Sequence, residues 1–160
     1  MATPSYANIL QEVQSRLYNL ISTDITTYTF SADSQTFTVG IGTNNATVVD
    51  GIPKKLIQGT GYPYIIIPTG EVTEEILTMT KKKVRITTRI EIYARREKSL
   101  RIMSDRVREI LETNKNTANW SAAGLVFKNI TSSSLNSRLR DDGDMEYNMM
   151  FFVEYVFYGD

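Results

Sequence analysis

Cysteine and histidine are both missing from these 160 residues. The first absence removes disulfides, thiolate metal sites and thiol nucleophiles. The second removes the commonest general base and the commonest metal ligand. A hydrolase or transition-metal enzyme would have to work without either. Carboxylates, lysine or a Ser/Lys pair would remain, and none of them stands at telling spacing. No apolar run approaches the ~18 residues of a membrane span. The start, Met-Ala-Thr-Pro, has neither a basic n-region nor an apolar h-region, so no secretory signal is expected and the protein should stay where it is made. With 41% apolar and 22% charged residues, the chain reads as one globular domain, residues 1–160, large enough to bury a core.

Net charge of one sign is also lacking. The formal total is zero, which argues against general nucleic-acid affinity. The zero hides an asymmetry. Residues 81–108 hold eleven lysines and arginines against Glu91, Glu97 and Asp105, a net +8 balanced by −8 in the remainder. Such blocks can neutralise each other within one subunit or between neighbours.

The stretch from Lys81 to Asn114 carries the clearest pattern. Val84, Ile86, Thr88, Ile90, Ile92 and Ala94 alternate with Arg85, Thr87, Arg89, Glu91 and Tyr93, the mark of a strand with one buried face. Ser99 is a fair N-cap for a helix whose stripe is Leu100, Met103, Val107, Ile110 and Leu111, with Asn114 as its stop. This helix can lie back across the strand.

Around that unit, Thr3-Pro4 opens a second amphipathic helix with Tyr6, Ile9, Leu10, Val13, Leu17, Leu20 and Ile21 on one side. Residues 25–30 suit a short strand. Gln35–Ile41 and Ala46–Val49 flank Gly42-Thr43-Asn44-Asn45, a hairpin signal. Gly40 and Gly42 have no third glycine, lysine or following helix, so they read as turn chemistry rather than a phosphate loop. Tyr62-Pro63-Tyr64-Ile65-Ile66-Ile67-Pro68 is a brief strand fenced by prolines, expected at an edge or a strand end. Residues 68–80 read as a long excursion or a hairpin tip ahead of the central strand, bearing Glu71, Glu74 and Glu75, a solvated or partner-facing acidic loop rather than a cation site. Trp120, the only tryptophan, is expected over the core rim or as a partner anchor. Leu125–Thr131 is a strand. Residues 132–144 read as a long loop with Arg138, Arg140, Asp141, Asp142 and Asp144, lacking the ligand spacing of a calcium loop. The last strand, Met145–Tyr158, is apolar on one face and half apolar on the other, Phe152 and Tyr158 included.

The order of elements implies an α+β fold: a mostly antiparallel sheet, two amphipathic helices on one face, a hairpin and long loops. No cofactor is called for, and the chain is not expected to be an enzyme.

In order and character these pieces resemble the tail-terminator or tail-completion (head-tail joining) proteins of long-tailed bacteriophages. The likeness lies in the helix Tyr6–Ile21, the segment Tyr62–Ile67, and the strand ending Ile90-Glu91-Ile92-Tyr93-Ala94 before the helix Ser99–Thr113. Gly124-Leu125-Val126-Phe127, the Arg/Asp loop and the aromatic strand Tyr147–Phe157 complete it. The resemblance implies a structural virion protein at the head-proximal end of the tail, assembled in the host cytoplasm. Such a protein forms a homo-oligomeric ring, a hexamer, that caps the tail tube, stops its polymerisation and meets the head connector or stopper. DNA crosses the lumen without specific binding. On that reading, subunit-interface candidates are Arg85, Arg89, Arg95, Arg96, Arg101, Phe152 and Tyr158. Candidates for reaching tube, connector or lumen are Glu71, Glu74, Glu75, Arg138, Arg140, Asp141, Asp142 and Asp144. Alternatives are another neck component, or a nucleic-acid-binding accessory protein using the basic 81–108 block.

Overall fold

The computed structural model describes residues 7–25, 27–30, 35–38, 40–42, 48–49, 52–53, 64–77, 82–94, 96–115, 120, 124–139, 143 and 145–159. The fold is α+β. Helix α1 is Ile9–Ile25 and α2 is Glu97–Asn114. The strands are β1 (Thr27–Phe30), β2 (Gln35–Thr38), β3 (Gly40–Gly42), β4 (Val48–Val49), β5 (Ile52–Pro53), β6 (Tyr64–Ile66), β7 (Glu71–Leu77), β8 (Lys82–Ala94), β9 (Leu125–Ser132), β10 (Asn136–Leu139) and β11 (Met145–Gly159).

Two long strands form the middle of the main sheet. β8 and β11 pair antiparallel along the whole of β8, from Lys82 opposite Gly159 to Ala94 opposite Tyr147. At about 3.4 Å per residue these 13 and 15 residues span roughly 44 and 50 Å, against about 27 Å for the 18 residues of α2. Strands that long are flanked piecewise. On the far side of β8, β6 covers residues 91–93 and β7 covers residues 82–87. On the far side of β11, β10 covers residues 145–148 and β9 covers residues 151–157. These six strands are antiparallel, and β3 joins β6 in parallel.

The two interruptions have local causes. Between β6 and β7, Pro68 has no N–H to give a ladder. Gly70 passes so close to β8 that a Cβ there would lie 2.5 Å from the Thr88 side chain. Gln14 of α1 holds this break, its Nε2 donating to Ile67 O at 2.9 Å. Between β9 and β10, Ser133 N donates to Met150 O at 2.8 Å and Ser133 Oγ accepts from Met150 N at 3.0 Å. A side chain there completes the ladder in place of backbone.

Both helices lie on one sheet face. Ile9, Val13, Leu17 and Ile21 of α1 and the predicted stripe of α2 share one buried cluster with Ile86, Ile90, Ile92, Phe151, Val153, Tyr155 and Phe157. The alternation read for β8 and β11 holds on this side. Trp120 belongs to the same cluster, stacked on Tyr155 with ring centroids 4.7 Å apart. It is a core residue, and the partner-anchor reading falls.

Several expectations are corrected. Residues 68–80 are not a loop: β7 occupies 71–77, because the edge of β8 offers its backbone a ladder. Residues 132–144 are likewise not one long loop, since β9 reaches Ser132 and β10 occupies 136–139. Among the described residues no pairing joins 35–41 to 46–49 as a hairpin. β2 pairs with β1, β3 with β6, and β4 with β5. β6 is not at an edge, as it has β3 on one side and β8 on the other. Helix α2 begins at Glu97 with Arg96 as N-cap and no side-chain cap bond, so Ser99 lies inside it. Its end at Asn114 is as read, with Asn114 Nδ2 donating to Ile110 O at 2.8 Å. The expected helix start at Thr3-Pro4 lies outside the described residues.

Candidate functional site

The second sheet face is divided. At the end where β6 and β10 flank the long strands, Ile66, Glu91, Tyr93 and Glu146 are buried. Toward the end flanked by β7 and β9 the face is open: Val126, Phe152 and Tyr158 are 42%, 37% and 46% exposed. The register sets these side chains among Lys83, Arg85 and Arg89. Phe152 is opposite Arg89, Val156 opposite Arg85 and Tyr158 opposite Lys83 in the β8–β11 ladder. Val126 stands opposite Val156. The result is a surface of aromatic and aliphatic side chains edged by cations.

Most of those cations are answered within the chain. Arg85 Nη1 lies 3.3 Å from Glu154 Oε1, and Arg89 Nε lies 3.5 Å from Glu91 Oε1. Lys83 Nζ sits 5.8 Å from the Tyr158 ring centroid, in cation–π range. On α2, Arg101 Nη2 is 2.7 Å from Glu97 Oε1 and Arg106 Nη1 is 2.9 Å from Glu109 Oε2. Glu74 is the register partner of Arg85 on the other side of β8. Two of these partners, Glu154 and Glu109, lie outside residues 81–108, whereas Glu91 and Glu97 are already counted in the net +8, so the block keeps most of its excess.

The block does not form one patch. Arg85, Arg89, Phe152 and Tyr158 share the open sheet face, whereas Arg101 stands on α2, which covers the opposite face. Arg96 is exposed at the start of α2. Glu71 and Glu75 are exposed on a strand, and Arg138 is exposed on β10 opposite Glu146. Arg95, Arg140, Asp141, Asp142 and Asp144 lie outside the described residues. Val126 was missed by the sequence reading, because exposure on a half-covered strand is decided by what packs over it.

The buried end has its own electrostatics. Burial pushes the Glu91 carboxyl above its ordinary value, and Arg89 only partly offsets this. Burial, then Glu91 and Glu146, raise the Tyr93 hydroxyl well above its usual range. A groove along α2, past Glu97, Arg101, Ile102, Asp105, Arg106 and Glu109, is lined from a single helix by charges largely paired with one another. Among the described residues no three Asp, Glu, His or Cys side chains gather to hold a metal.

No family model matches the chain, and no curated protein matches it in sequence.

Proposed function

We propose that this chain is a structural virion protein, a ring-forming tail terminator that caps the tail tube, stops its polymerisation and joins the tail to the head connector. The observation that carries the reading is the open sheet face, where Phe152, Tyr158 and Val126 stand exposed beside Arg85 and Arg89. Aromatic residues and arginine are the types that protein interfaces favour at their centres. The α+β fold and the resemblance in element order support the same reading. Arg85, Arg89 and Arg101 each have a carboxylate partner in the chain, which makes them less available to phosphates and favours protein contact over nucleic-acid binding.

The test is solution mass by light scattering across a concentration series, with and without tail tubes, and negative-stain images of the peak. A closed ring, or a monomer that becomes a ring on tail tubes, is the expected outcome. A monomer indifferent to tubes, together with a steeply salt-dependent DNA shift, would move the assignment to a nucleic-acid accessory protein.

A further inference from the structure

We infer that copies of this chain join edge to edge, β7 of one against β9 of the next, so that one antiparallel sheet runs from subunit to subunit. The inference rests on the reading that the chain assembles with itself. It adds which surfaces meet.

Three observations lead there. First, both strands are sheet edges: among the described residues no strand lies outside β7 or outside β9. Their side chains are largely exposed, including Glu71, Val72, Thr73 and Glu75 on β7 and Val126, Lys128, Asn129, Thr131 and Ser132 on β9. Edges of seven and eight residues without proline are templates for another strand.

Second, the directions fit. Across this end of the sheet the order is β7, β8, β11, β9, and every neighbouring pair is antiparallel. Four alternating strands end with β7 and β9 running in opposite directions. A second copy related by rotation about an axis along the strands can then set its β9 beside β7 and continue the alternation. The two edges also stand at the same height. Glu71, Thr87, Glu154 and Asn129 form one row across the four strands, and Glu75, Val84, Phe157 and Leu125 form another.

Third, the charges differ in sign. β7 carries Glu71, Glu74 and Glu75 and no base. β9 carries Lys128 and no acid. Pairing β7 with β7, or β9 with β9, sets like charges together; pairing β7 with β9 does not. The arrangement disfavours a two-fold dimer and favours a head-to-tail contact, the kind that closes into a ring.

The chain has no native cysteine, so introduced thiols report only the designed contact. The experiment pairs Glu71→Cys with Asn129→Cys, and Glu74→Cys with Val126→Cys, the residues that share a row, under mild oxidation of the assembled full chain. A ladder of cross-linked species is expected from the double variants and none from the four single ones; dimers from single variants would signal a two-fold contact and overturn the proposal. Charge exchange gives a second readout. Glu71→Lys or Lys128→Glu alone should lower the assembled fraction about tenfold, and the two together should restore it. Rings by light scattering that neither cross-link nor respond to the exchange would overturn the edge joint while leaving the ring reading in place. A monomer at every concentration, with or without tail tubes, would overturn both.

Discussion

Glu91 shows what alternation leaves open at the scale of one residue. It falls on the polar side of β8, yet it is buried beside Tyr93, with Arg89 Nε at 3.5 Å. A carboxyl whose pKa is raised by folding binds protons more readily in the folded chain than in the unfolded one. Stability is then greatest below the ordinary value of 4.5 and declines as pH rises through the raised folded value. Glu91→Gln should raise the thermal midpoint at about pH 7 and flatten the decline on the alkaline side of that window. Thermal melts across pH would check it, and an unchanged slope would show that Glu91 does not set the pH dependence. At Gly124 a positive φ of 74° and a Tyr158 carbonyl 2.7 Å from any added Cβ leave room for glycine alone, where Tyr158 N donates back to Gly124 O at 3.0 Å. The sequence analysis used Gly124 only as the start of Gly124-Leu125-Val126-Phe127, because nothing local reveals that it meets Tyr158 of β11.

Elements with strong apolar periodicity were legible. The stripe of α2, the buried faces of β8 and β11, and the core of α1 over Ile9, Val13, Leu17 and Ile21 all stand where the spacing put them. Strands β7 and β10 were not legible. Glu-Val-Thr-Glu-Glu-Ile-Leu and Asn-Ser-Arg-Leu have no clean alternation, and each is a strand because a longer strand beside it offers unpaired backbone. Trp120 ties the segment after α2 to this framework through its stack on Tyr155. Trp120→Ala should cost about 3–5 kcal/mol in urea unfolding, with Trp120→Phe losing distinctly less. A loss under about 0.5 kcal/mol would place the ring outside the core.

The molecule as a whole is one-sided: two helices seal one sheet face, and the other is buried at one end and open at the other. Phe152 and Tyr158 sit on the open part, so replacing both with serine should leave unfolding free energy within about 1 kcal/mol. The same change should sharply lower the assembled fraction, alone or on tail tubes, as read by light scattering. Full assembly by the doubly substituted chain would remove this face from the contacts. Within the subunit Arg85 finds Glu154, an acid outside the basic block, while Arg89 finds Glu91, which the net +8 already includes. Ion pairs on exposed surface contribute little to stability, so their effect is to limit what else those arginines bind.

The sequence by itself determined the α+β class, the two helices, the two long strands and which side of each is buried. All of these follow from periodicity, a property of residues close together in the chain. Only the tertiary structure decided that β7 and β10 are strands, that β3 joins β6 rather than closing a local hairpin, and that Val126, Phe152 and Tyr158 share one open face. Those outcomes depend on backbone groups and covering side chains brought together from distant parts of the chain. No local pattern encodes that proximity.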